Sequence, residues 1–187
     1  MKDEKPDERS LAAHRALWQN RGESRPDFAA EAGPGQESVW DYPRPPALVE
    51  DTRCVEVILG SHLIARTTQA KRVLETASPP TFYLPRNAIN LAFLRPTPGT
   101  SLCEWKGRAS YRDVVTAEHS VRQAAWTYED PFRQFHAIAG YISFYPGRVA
   151  CYVDRQRVRP QDGGFYGGWV TDEIVGPWKG QPGSGGW

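Results

Sequence analysis

The sequence predicts a mainly β domain of about seven or eight antiparallel strands with one or two short helices. Three observations lead there. Between Cys103 and Tyr111, Lys106-Gly107 separates two runs in which apolar and polar residues alternate, the period-2 pattern of half-buried strands. Val55, Val57 and Leu59 alternate ahead of Gly60-Ser61 and His62 to Arg66, a hairpin signature. The 187 residues are 40% hydrophobic and 12% aromatic, enough for the single core of one domain.

Taken in order, residues 1–37 read as a flexible tail. They are charged and rich in small residues, end near Gly33-Pro34-Gly35, and offer only Leu11, Trp18 and intervening alanines for one short helix. The β-domain is expected over 38–187, entered through Ser38 to Pro46, where closely spaced prolines impose an extended path. After the 55–66 hairpin, Ala70, Val73, Leu74 and Ala77 lie at helical spacing and predict a helix that Pro79-Pro80 ends. Thr81 to Leu84 resumes as a strand, and a helical turn is expected near Asn87 to Phe93. Leu102 to Trp105, Ala109 to Thr116 and Val121 to Tyr128 read as successive paired strands. Tyr141 to Tyr145 and Val149 to Val153 read as a last hairpin across Pro146-Gly147. Beyond Asp154 the chain is rich in glycine, yet Phe165, Tyr166, Trp169, Trp178 and Trp187 are costly to leave in water. This extension is therefore expected to pack back on the sheet. The tripeptide Trp-Lys-Gly recurs at 105–107 and 178–180, too short to signify duplication.

Lys+Arg number 23 and Asp+Glu 22, a formal net charge of +1. No global field is present of the kind that holds a protein on nucleic acid or an anionic membrane, and any phosphate site must be local. Neither nucleic acid nor membrane is expected as a partner, and nothing in the sequence sets the oligomeric state. Cys54, Cys103 and Cys151 are odd in number and far apart, which suits reduced thiols in the cytoplasm. With His14, His62, His119 and His136 equally scattered, no zinc site is expected. The start Met1-Lys2-Asp3-Glu4-Lys5 has no apolar run behind it, and no segment reaches transmembrane length.

Lys106 is the leading candidate for chemistry. A lysine among aromatic rings has its charged form disfavoured unless an anion is at hand, so it suits phosphate or carboxylate binding, or nucleophilic attack. Gly107 allows close approach to the backbone. The competing reading places Lys106 in an exposed hairpin turn, with Gly107 supplying only a positive φ. Cys103 gains reactivity if the ammonium lies near it, and is otherwise a small buried hydrophobe. Tyr83, Trp105, Tyr111, Trp126, Tyr128, Tyr141 and Tyr145 are candidates to wall a pocket, against the plainer reading of core packing. A half-wet pocket accounts for so many tyrosine hydroxyls better than a dry core does. No D-x-D pair, P-loop or dinucleotide fingerprint is present, so a two-metal nucleotide site lacks its usual ligands.

Several motifs together carry a family resemblance. Val39-Trp40-Asp41-Tyr42-Pro43-Arg44-Pro45, Glu75-Thr76, Tyr83-Leu84-Pro85, Cys103-x-x-Lys106-Gly107-x-Ala109-x-Tyr111, Ala125-Trp126-x-Tyr128-x-x-Pro131 and Ile138-x-Gly140-Tyr141-x-x-Phe144-Tyr145 resemble the bacterial family described as domain of unknown function 427. The likeness covers about residues 38–154 and is expected to extend through the Gly/Trp-rich tail to 187. It implies a β-tent (Mss4-like) domain without zinc knuckles, and the family's nucleotidyltransferase-like label implies a transfer reaction. Lys106, Gly107 and Tyr111 carry over as members of the motif, with no established role. Glu104-Trp105 stands where the family has a proline and a second aromatic residue.

The expected function is binding of a small anionic molecule in an aromatic pocket. Lys106 and Tyr111 would be the catalytic groups if there is a reaction, and Tyr83, Cys103, Trp105, Gly107, Trp126, Tyr128 and Tyr141 would contact the ligand. A nucleotidyltransferase-like enzyme and a non-enzymatic aromatic cage are the alternatives. A Lys106 nitrogen inside a concave pocket beside a tyrosine hydroxyl favours the first reading. A lysine-free aromatic box favours the cage. No cofactor follows from the sequence.

Overall fold

The computed structural model describes residues 8–187. They begin with α1 (Glu8–Ala16), β1 (Glu37–Ser38), β2 (Ala47–Asp51), β3 (Val55–Leu59), β4 (His62–Thr67), β5 (Ala70–Glu75) and β6 (Ser78–Tyr83). Two 3-10 turns, Arg86–Ala88 and Leu91–Phe93, lead into β7 (Leu94–Cys103), β8 (Gly107–Val115) and β9 (Ser120–Thr127). A further 3-10 segment, Arg133–Ile138, precedes β10 (Ile142–Phe144) and β11 (Ala150–Val153). The chain closes with β12 (Gln156–Arg157), β13 (Arg159–Pro160), β14 (Trp169–Val170) and β15 (Ile174–Val175). The protein is mainly β. Ten of these strands have three residues or more and five have two, so the expected seven or eight undercounts short pairings that close sheet edges.

Three antiparallel sheets carry the fold, in the orders β2-β5-β6, β10-β9-β8-β7 and β12-β11-β3-β4, and β1 pairs with β15 in parallel. The expected helix over Gln69 to Thr76 is instead β5, the middle strand of its sheet. The reason is that β5, a middle strand, is buried on both faces: Ala70 packs into one apolar cluster and Val73, on the opposite face, into another, so the apolar positions imitate helical spacing. The register shift lies in β6, where Pro79 and Pro80 together stand opposite Leu74, a bulge at which the ladder asks least of their missing N–H groups.

The expected last hairpin is also corrected. β10 pairs with β9, whereas β11 pairs with β3 in another sheet. Pro146-Gly147 is a corner at which the chain leaves one sheet for the next, its bend held by Arg148 and Val149 N–H groups donating to the Tyr145 carbonyl.

Between the sheets lies an apolar core that includes Val55, Val57, Ile64, Phe82, Leu84, Ile142, Phe144 and Trp169. The Trp169 ring stacks on Phe82 at 4.8 Å, and its Nε1 donates to the Phe144 carbonyl at 2.9 Å. A second cluster joins Tyr83, Trp105, Trp126, Tyr128, Phe135 and Ile138. In a third, Val39, Trp40 and Ile174 meet Trp187.

The residues read as a tail include Met1 to Asp7, which lie outside the described residues. In the rest, Arg15 donates to the Glu104 carbonyl at 2.7 and 3.0 Å and Phe28 stacks on Trp187 at 4.9 Å. Among the described residues no helix is long and apolar enough to cross a membrane.

Candidate functional site

The connection from β7 to β8 is three residues, Glu104 to Lys106, followed by Gly107 at φ +98°. Such loops normally project into water with free carbonyls. Here all three carbonyls are taken: Arg15 donates to Glu104, the Gln134 side chain to Trp105, and the Phe132 N–H to Lys106. The turn is thereby folded inward, and Lys106 is only 9% exposed. Its Nζ lies 5.9 Å from the Phe135 ring centre. The exposed-turn reading of Lys106 is therefore wrong.

Lys106 lines a cavity of about 230 Å3 together with Tyr83, Cys103, Tyr111, Trp126 and Tyr128. β6, β7, β8 and β9 supply Tyr83, Cys103, Tyr111 and Trp126, Lys106 comes from the β7–β8 connection and Tyr128 follows β9 directly. A floor of phenols results. Tyr111 shares a 2.7 Å hydrogen bond with Ser101, Tyr145 is within hydrogen-bonding reach of Tyr111, and Tyr83 is within reach of Trp126 and Tyr128. Burial raises the pKa of Tyr83, Tyr128 and Tyr145, so these phenols stay protonated at neutral pH. The Trp126 ring, 4.4 Å from Tyr145, closes against Gly167, where any Cβ would overlap the indole.

Burial alone would lower the pKa of Lys106, but Cys103, Tyr83 and Glu75 outweigh it and hold the ammonium above the usual lysine range. A second lysine shares the cavity. Lys179 is 3% exposed, and its Nζ lies 3.4 Å from the centre of the Trp18 ring. Burial brings its pKa down to about 8, with Glu75 and Glu104 opposing and Arg44 and Lys106 reinforcing the fall. Its backbone is fixed on both sides, its N–H donating to Ala77 at 2.9 Å and its carbonyl accepting from Gln161 at 2.8 Å. Gly180 follows at φ +116°, packed so closely on Asp162 that no side chain fits there. Both Trp-Lys-Gly tripeptides thus deliver their lysine to one cavity through a glycine of positive φ.

The carboxylates at the wall are Glu75 and Glu104. Arg44 pairs with Glu75 at 3.3 Å, and Glu104 accepts from Trp18 Nε1 at 2.8 Å. Trp18 therefore bridges from the N-terminal segment to the rim, with Arg44 4.8 Å from its ring as well. Two lysines, Lys106 and Lys179, thus face two carboxylates across the cavity, and Arg44 engages Glu75 from outside the lining.

Residues 47–155 match a family model described as Domain of unknown function (DUF427). The chain belongs to the DUF427 family. No curated protein matches it. The DUF427 segment holds Glu75, Tyr83, Cys103, Lys106, Tyr111, Trp126, Tyr128 and Tyr145, whereas Trp18, Gln161, Tyr166 and Lys179 come from outside it.

Three residues expected at the ligand lie away from the cavity wall. Trp105 is buried beneath Arg15, whose guanidinium is 5.0 Å from its ring. Gly107 faces Phe132, whose ring would stand 3.6 Å from a Cβ there. Tyr141 packs against the second apolar cluster from its edge. Sequence reasoning missed Trp18, Gln161 and Lys179, although the repeated tripeptide was a signal for the last of these. Among the described residues no three His, Cys, Asp or Glu side chains gather as a metal site requires.

Proposed function

We propose that this DUF427 protein binds a small anionic molecule in the aromatic cavity, with Lys106 meeting the anionic group. One observation carries the reading: Lys106 is withdrawn from solvent into a cavity lined by protonated phenols, and among the described residues no carboxylate forms an ion pair with it, Glu75 being paired with Arg44. A buried charge without its counterion is costly, and an anion entering from water relieves that cost. Phenol donors and the indole of Trp126 then contact the rest of a flat or compact ligand. Three free cysteines suit a reducing compartment, so the ligand is taken to be a cytoplasmic metabolite.

An aromatic cage for a cationic group is disfavoured because two lysines occupy the box. The nucleotidyltransferase reading rests on the family's label. The two carboxylates at the wall are already engaged by Arg44 and Trp18.

A thermal-shift screen of monocarboxylates, phosphate monoesters and nucleotides on wild type and Lys106→Gln tests the proposal. A ligand at 100 times its Kd should add about 2.7 kcal/mol of stability. Stabilisation by one anionic class that disappears in Lys106→Gln is the expected result. An equal shift in the variant, or none with any anion, would overturn it.

A further inference from the structure

The two lysines of the cavity are not equivalent, and the difference points to chemistry as well as binding. Lys106 lies beside Cys103 and Tyr83, with the Glu75 carboxylate to favour its cationic form. Lys179 faces Glu75 and Glu104, but also Arg44 and Lys106, and its nitrogen rests on the apolar face of Trp18. Desolvation and neighbouring cations are the two means by which a lysine is made nucleophilic near neutral pH. Lys179 experiences both. Its backbone is anchored through Ala77, Gln161 and the close packing of Gly180, so the amine is presented from a fixed position.

We infer that Lys179 is a nucleophile that condenses with the carbonyl group of a small oxo acid whose carboxylate is held by Lys106. This rests on the anion reading above and names the ligand class. The neutral Nζ adds its lone pair to the carbonyl carbon, and one of its two protons passes to the carbonyl oxygen to give a carbinolamine. The carbinolamine hydroxyl then leaves as water while nitrogen sheds its remaining proton, so amine and carbonyl become one imine and one water. No oxidant or reductant is consumed. Phenols kept protonated by burial line the same cavity and are suited to supply the proton to the departing hydroxyl. The fall of the Lys179 pKa to about 8 gives a usable fraction of free amine at neutral pH.

The test uses glyoxylate as probe, with cyanoborohydride to trap the imine and peptide mass spectrometry to place the adduct. Labelling of Lys179 is expected to rise with pH and level off just above 8, whereas an ordinary lysine keeps gaining to beyond 10. Lys179→Arg should abolish it, and Lys106→Gln should raise the glyoxylate concentration needed by roughly tenfold or more. Propanal, which has no carboxylate, should label poorly. Adducts confined to exposed lysines would overturn the inference. If glyoxylate raises Tm in a Lys106-dependent way yet leaves Lys179 unlabelled, the nucleophile fails and the anion site stands. If propanal labels Lys179 as well as glyoxylate does, and Lys106→Gln changes neither, the nucleophile stands and the anion site fails.

Discussion

The Lys179 nitrogen sits 3.4 Å from the centre of the Trp18 ring, and so two segments from opposite ends of the chain meet over one cavity. Neither belongs to the matched family segment. An indole face favours a cation by about 0.5–2 kcal/mol, yet burial and the nearby Arg44 act against the charge and prevail.

That balance sets a pH dependence of stability. Lys179 titrates at about 8 in the fold and near 10.4 when unfolded. Below pH 8 both states are protonated and the folded state bears the full cost of the buried charge. Between the two values the unfolded state holds more protons, so this lysine's contribution to stability rises with pH. Lys179→Met should therefore stabilise the protein by about 1–2 kcal/mol at pH 7, after loss of the Trp18 contact. The gain should vanish above pH 10.5. Urea denaturation of both proteins at the two pH values reads it directly, and a constant difference would contradict the assignment.

The cysteines offer a footprint of the cavity. Cys151 is fully buried, and burial pushes its thiol up, so it should resist iodoacetamide until the protein unfolds. Cys54 and Cys103 are partly exposed, and only Cys103 lines the cavity. A bound anion should slow alkylation of Cys103 and leave Cys54 unchanged. Equal slowing of both would mean that the ligand acts elsewhere.

Gly167→Ala places a methyl group inside the Trp126 indole. Forcing the ring aside should cost about 1–3 kcal/mol and abolish the anion-dependent rise in Tm. Gly164→Ala is the control in the same loop, since nothing lies within 4 Å of its Cβ position. Thermal melts of the two variants with and without ligand separate a packing effect from a general loosening of the loop.

Trp169→Phe keeps an aromatic ring against Phe82 but removes the donor to the Phe144 carbonyl. A buried carbonyl left without its partner costs about 1–3 kcal/mol. Chemical denaturation should show that loss while anion binding at the cavity persists.

Much of the fold was legible because alternation survives wherever strands are regular. Val55 to Leu59 shows it, and so does β8, whose partners β7 and β9 flank it closely in sequence. It fails at β5, where both faces are buried, Ala70 in one cluster and Val73 in another, and the apolar spacing passes for a helix. It fails again at Pro146-Gly147, since a local pattern marks a turn without saying which sheet receives the next strand. At the site, Tyr83, Lys106, Tyr111, Trp126 and Tyr128 line the cavity as the sequence led one to expect, because a lysine and aromatic residues in and beside neighbouring strands are brought close by local pairing. Lys179 was not, because only tertiary packing brings the second Trp-Lys-Gly beside the first. Trp105 and Gly107 were misplaced for a related reason: the carbonyl bonds that turn the 104–106 loop inward come from Arg15, Phe132 and Gln134.

The meeting of Trp18 with Lys179 also imposes an order on synthesis. As the chain leaves the ribosome, Trp18 emerges well before Lys179 and has no lysine to rest on until that residue has followed. Lys106 and its tyrosines precede Lys179 too, so the roof over them must wait. A nascent chain stopped short of Lys179 therefore carries an unroofed cavity.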